Sequence, residues 1–153
     1  MRDFVINAEI IQKPQTPTRE TIVKFEQALA QFPQIEIRTE HYFVDGLYAR
    51  EIHIPAGTVL TGKPHLEHHL NIVSKGRIIV WTEDGMKDVS AGTTMPSRPG
   101  CKRVGLALED TVWVTIHPNP INEQDLEKLE ARLIEPIELQ KLSLDLGEQL
   151  WLG

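Results

Sequence analysis

A single cysteine, Cys101, stands in a chain of 153 residues, so no internal disulfide framework is available to it. No apolar run approaches the ~20 residues that a membrane-crossing helix needs. The N-terminus, Met1-Arg2-Asp3-Phe4, is charged and lacks the apolar centre of a signal peptide. Cations are outnumbered, with 16 Lys and Arg against 22 Asp and Glu, and the net charge of −6 argues against nucleic acid or an anionic membrane as the partner. Together these absences make the cytoplasm the expected compartment. There is no internal repeat. The hydrophobic fraction of 41% suffices for a real core, and the length suits one structural domain with extensions.

Three zones follow one another. Residues 1–46 form an N-terminal helical arm. Thr16 is its expected cap and Pro17 its first helical position. Ile22, Val23, Phe25, Leu29 and Phe32 then recur at helical spacing, Pro33 ends the helix, and Gln34–Phe43 is strand-like. Residues 47–117 read as all-β, with strands over Leu47–Ile54, His69–Val73, Arg77–Thr82, Met86–Val89, Arg103–Leu108 and Thr111–His117. Lys75-Gly76, Asp84-Gly85, Ala91-Gly92 and Pro99-Gly100 punctuate them. Many short strands at this spacing predict a small barrel or two-sheet sandwich. Residues 118–153 hold a second helix that starts at Asn122, with Asp125 in a box-like cap and Pro136 as its stop. A leucine-rich tail follows, from Ile137 to Leu152, which packs either on its own chain or across a homodimer.

Chemistry concentrates in Gly62-Lys63-Pro64-His65-Leu66-Glu67-His68-His69-Leu70. Half of the six histidines lie within five residues. Neutral imidazole is the commonest metal ligand and titrates near neutral pH. On one straight strand, His65 and His69 would be roughly 13 Å apart at ~3.3 Å per residue. A zinc ion holds its nitrogens at about 2.1 Å, so the pair shares a ligand only where Leu66–His68 bends. The glutamate that a helical zinc-protease motif needs after its first histidine is replaced by Leu66.

The middle zone resembles the cupin superfamily, whose fold is a jelly-roll β-barrel. The resemblance rests on Pro55-Ala56-Gly57, then Lys63, His65 and His69, then Ser74-Lys75-Gly76, and on Pro99-Gly100-Cys101-Lys102-Arg103. It covers about half the chain. In that alignment His65 falls at the family's second histidine and His69 at its glutamate. Lys63 replaces the first histidine and Arg103 replaces the histidine of the second motif, so two of the four family ligand positions are cations. Tyr48-Ala49-Arg50-Glu51, Ser74-Lys75-Gly76 and Asp110-Thr111-Val112-Trp113 resemble small cupin-like proteins of phages and prophages.

Alternation sorts the strand residues into faces. Val112, Val114 and Ile116 share one face, while Trp113, Thr115 and His117 share the other. Val104, Leu106 and Leu108 oppose Arg103, Gly105 and Ala107, with Cys101 in phase with the latter set. The polar or small face meets either solvent or a pocket, and the resemblance implies the pocket. Arg50 and Glu51 face opposite ways in mid-strand. His68 is out of phase with His69 and is expected to be exposed or at an interface, and His117 is a structural histidine or a ligand.

Two function classes follow, with a third behind them. In the first, the chain binds a small molecule in a cationic pocket of Arg103, Lys63, His65, His69, His117 and Thr115. A planar, permanently charged guanidinium suits a carboxylate or phosphate. In the second, the chain is a metal-dependent enzyme of oxygenase, isomerase or lyase type. A divalent transition metal is then its cofactor, held by His65, His69 and Glu67, or by His117 in place of Glu67. The third is a structural scaffold whose arm and tail carry the function.

Overall fold

The computed structural model describes residues 18–135. Within them nine strands and two helices run in the order α1 (Arg19–Leu29), β1 (Arg38–Val44), β2 (Gly46–Ile54), β3 (Val59–Gly62), β4 (His69–Lys75), β5 (Arg77–Thr82), β6 (Gly85–Ser90), β7 (Thr93–Ser97), β8 (Arg103–Ala107), β9 (Thr111–Asn119) and α2 (Leu126–Leu133). The strands form a five-stranded sheet, β1-β2-β9-β4-β7, and a four-stranded sheet, β3-β8-β5-β6. Every pairing is antiparallel.

The six expected strands all form. β1 pairs with β2 from Arg38↔His53 to Val44↔Leu47, so the barrel begins at Arg38 rather than at Leu47. Two further strands, β3 and β7, were invisible in the pattern. β3 is four residues long, too short to show alternation. β7 contains Pro96, which cannot donate to a ladder, and β7 lies at the edge of its sheet, where that donor is not required.

Both helices start later than expected. The cap of α1 is Thr18, whose hydroxyl accepts from the Thr21 amide at 3.2 Å, while Thr16 and Pro17 lie outside the described residues. α2 starts after Asp125, whose carboxylate accepts from the amides of Glu127 at 3.0 Å and Lys128 at 3.2 Å. Asn122 cannot be helical, because its φ is +51°. Its side chain instead accepts from the Gly46 amide at 2.8 Å and donates to Asp45 at 2.7 Å, which ties the loop to the β1–β2 turn. Each helix also stops short of its proline, at Leu29 and Leu133. The leucine-rich tail after Pro136 lies outside the described residues.

The inner faces of the two sheets make a core that is apolar at one end and polar at the other. Ile54, Val73, Ile78, Val80, Val89, Ala107 and Trp113 fill the apolar end. Cross-strand partners along β2 and β9 mark the change: Ile54↔Thr111, Ile52↔Trp113, Arg50↔Thr115 and Tyr48↔His117. α2 covers the polar end, with Leu129 and Leu133 packed on Tyr48 and Phe43. α1 is held through Lys102, a fully buried lysine whose ammonium reaches Glu26 at 2.6 Å, and through the Arg19–Glu135 ion pair.

Candidate functional site

The polar end of the barrel encloses a cavity of about 560 Å³. Its apolar wall comes from both sheets, with Ile52, Ile54 and Trp113 facing Leu60, Ile78 and Val80. Its polar lining includes His41, Tyr48, Arg50, Lys63, His65, Asn71, Arg103, Thr115, His117 and Glu130. The faces on which alternation placed Arg103 and Gly105 of β8 and Trp113, Thr115 and His117 of β9 therefore line the cavity from opposite sheets rather than meeting solvent. Cys101 lies on the same lining as a free thiol.

Backbone hydrogen bonds bend the histidine segment. The Leu66 amide donates to the Leu133 carbonyl at 2.8 Å, the Gly100 amide to the His65 carbonyl at 2.8 Å, and the Glu135 amide to the Pro64 carbonyl at 2.9 Å. His65 also bridges to Ile134. These ties turn the chain at Leu66–His68 and bring the His65 and His69 rings to 4.2 Å between centroids. The pairing Leu70↔Ile116 sets β4 against β9, and the His117 ring lies 4.9 Å from His65 and 5.4 Å from His69. His117, distant in sequence, thus joins His65 and His69 in one cluster.

Within that cluster, Nδ1 of His65, Nε2 of His69 and Nδ1 of His117 are buried without a hydrogen-bond partner among the described residues. His69 Nδ1 lies 3.0 Å from the Glu67 carbonyl oxygen, to which it donates, and this leaves Nε2 as the lone-pair nitrogen. Burial is the main cause holding these rings neutral. It pushes His65 down to about 3, helped by His69, His117, Arg103 and Arg50. It pushes His117 down to about 4, helped by His69, Arg50 and Arg132. His69 is also lowered by burial and by Arg103, against the raising effect of the Glu67 carbonyl. At neutral pH the cluster is a set of uncharged acceptors and donors.

The remaining predicted residues fall in different places. Arg103 faces the cavity opposite Gly62, with Gly105 beside it, so neither neighbour crowds the guanidinium. Burial lowers its pKa, yet a guanidinium stays charged at neutral pH. Lys63 sits at the cavity mouth, where its ammonium reaches Glu130 of α2 at 2.5 Å. Thr115 donates to the Asn71 carbonyl oxygen at 3.3 Å. Glu67 contributes its backbone carbonyl to His69, and its side chain is not on the cavity lining. His68 is exposed, as its phase predicts.

Among the lining residues that the sequence did not assign to a site are Arg50, His41, Tyr48 and Asn71. The phase of Tyr48, Arg50, Ile52 and Ile54 along β2 was a legible signal for the first and third. Tyr48 and His41 hydrogen-bond through the phenol oxygen and Nδ1 at 2.7 Å, and Tyr48 stacks on His117 at 5.7 Å. Asn71, fully buried, accepts from Trp113 Nε1 at 3.1 Å and donates to Ser97 at 2.8 Å. It satisfies the indole donor that the apolar wall would otherwise strand.

The metal centre that the cupin resemblance implies does not fit this donor set. Of its four positions, Lys63 is engaged with Glu130 and Arg103 is a fixed cation on the cavity wall. Among the described residues no group of three or more His, Cys, Asp or Glu side chains is placed to hold a metal ion. Two guanidinium groups near the histidines add repulsion toward a dication.

No family model and no curated protein matches this sequence. Solved structures do match. The plu4264 protein of Photorhabdus luminescens is 17% identical, with a TM-score of 0.51 over 63% of this chain and 88% of its own. KdgF from Halomonas sp. is 17% identical, with a TM-score of 0.50 over 62% of this chain and 88% of its own. An RmlC-like cupin from Shewanella frigidimarina is 16% identical, with a TM-score of 0.48 over 61% of this chain and 89% of its own. At such identities the likeness concerns fold alone. Its two antiparallel sheets, packed face to face around a cavity at one end, give this chain a cupin-like jelly-roll fold.

Proposed function

We propose that this protein binds an anionic small molecule, carrying a carboxylate or phosphate, in the cavity between its two sheets. One observation carries the reading. Arg103 points its charge into a cavity with an apolar wall, and it makes no hydrogen bond or ion pair among the described residues. A guanidinium cannot shed its charge, so a partly desolvated one calls for an anion. The cavity volume of about 560 Å³ is that of an ordinary small-molecule site. Its wall of Ile52, Leu60, Ile78, Val80 and Trp113 suits the apolar body of such a ligand. The neutral rings of His65 and His117 on the same lining supply further hydrogen bonds to the bound group without adding charge.

The test is a thermal-shift screen of carboxylated and phosphorylated small molecules, followed by calorimetry on the hits. Arg103→Ala is expected to weaken the best binder by about 2–5 kcal/mol, the range for removing one partner of a buried charge pair. An empty screen, or equal affinity for the wild type and Arg103→Ala, refutes the assignment.

A further inference from the structure

Four charged side chains lie on the cavity lining: Arg50, Lys63, Arg103 and Glu130. Lys63 and Glu130 are paired at 2.5 Å and neutralise each other across the mouth. Arg50 also acts electrostatically on Glu130, and the lining still carries two positive charges in excess. Arg50 comes from β2 of the five-stranded sheet and Arg103 from β8 of the four-stranded sheet, so they enter from opposite walls. Neither makes a hydrogen bond or an ion pair among the described residues. Both act electrostatically on the same ring, His65. The histidines add no positive charge at neutral pH, because burial keeps them unprotonated.

A chain with a net charge of −6 therefore keeps an excess of two positive charges at one end of its barrel. Arg103 is partly buried and Arg50 is exposed, so one negative charge answers the buried guanidinium and a second on the same ligand reaches the exposed one on the facing wall. Two balanced charges need a ligand with two. We infer that the ligand is a dianion with an apolar body, clamped between Arg50 and Arg103. This rests on the anion-binding reading above and gives Arg50 a binding role. A dicarboxylate and a phosphate monoester share this chemistry. Planar donor forks on facing walls accept either, as two separate carboxylates or as one doubly charged phosphate.

The experiment is calorimetry at pH 7.5 on the whole protein with benzoate, phthalate and phenyl phosphate, in the wild type, Arg50→Ala and Arg103→Ala. At least one dianion is expected to bind the wild type tenfold or more tightly than benzoate. Arg50→Ala is expected to erase that preference while leaving benzoate affinity within about threefold, and Arg103→Ala to weaken all three. Phthalate ahead of phenyl phosphate identifies a dicarboxylate, and the reverse identifies a phosphate ester. Benzoate bound as tightly as both dianions overturns the clamp and leaves the anion site standing. So does an Arg50→Ala variant that keeps the full preference. Binding of none of the three overturns both readings. An Arg50→Lys variant guards against misfolding, since it should keep part of the preference with an unchanged melting temperature.

Discussion

Acid should unfold this protein through its histidine cluster, and the size of the effect follows from the site. His65 and His117 are held at about 3 and about 4, below their ordinary value of 6.5. As the pH falls below 6.5, the unfolded chain takes up protons that the folded chain refuses. The stabilising contribution is therefore complete above pH 6.5 and is lost on the way down to the folded values. Each group costs up to ~1.4 kcal/mol per pH unit in that window. Between pH 6.5 and pH 5 this reaches about 2 kcal/mol per ring, or ~4 kcal/mol for the pair. Water entry and ring movement reduce it to about 2–4 kcal/mol. His69 is shifted in the same direction and adds to the slope. Urea unfolding at pH 8 and pH 5 measures it directly. The wild type should lose that amount, while His65→Gln/His117→Gln, though less stable at pH 8, should show a much flatter dependence. A wild-type midpoint unchanged between the two pH values, or a double variant that loses as much as the wild type, refutes the buried neutral cluster.

Three further outcomes follow from other parts of the fold. Gly76 has φ +84°, and a Cβ there would meet the Asp110 carbonyl oxygen at 2.3 Å, whereas Gly57, at φ +82°, has open space. Gly76→Ala should therefore cost well over the ~1–2 kcal/mol of left-handed strain expected for Gly57→Ala, and equal losses of melting temperature would deny the close approach. Glu26→Gln strands the fully buried Lys102 ammonium and should destabilise by about 3 kcal/mol, more than Lys102→Met, and denaturant midpoints check the order. Freshly purified protein should hold less than about a tenth of an equivalent of any transition metal by elemental analysis and gain none on reconstitution, since cations occupy two of the four family ligand positions. Stoichiometric metal lost in His65→Ala would reverse that conclusion.

Period-2 alternation and the turn residues between runs placed six of the nine described strands, and alternation set Arg103 of β8 and Thr115 and His117 of β9 on the inward faces of their strands, because a pleated strand sends alternate side chains to opposite faces whatever surrounds it. The same alternation put Arg50 in phase with Tyr48, Ile52 and Ile54, so its facing was legible before its role was. Helix starts were less legible. Asn122 and Asp125 are both good caps by residue type, and the choice fell to Asp125 because Asn122 is drawn into a left-handed tie to the β1–β2 turn. The histidine cluster could not be read from the chain. His65 and His69 meet only because bonds from Leu133, Glu135 and Gly100 bend the segment between them, and His117 joins only because β9 pairs beside β4. Local periodicity determined which way each side chain points. Which of those side chains share one cavity, and that two of them are arginines from opposite walls, depended on contacts between residues far apart in sequence, which only the folded sheets bring together.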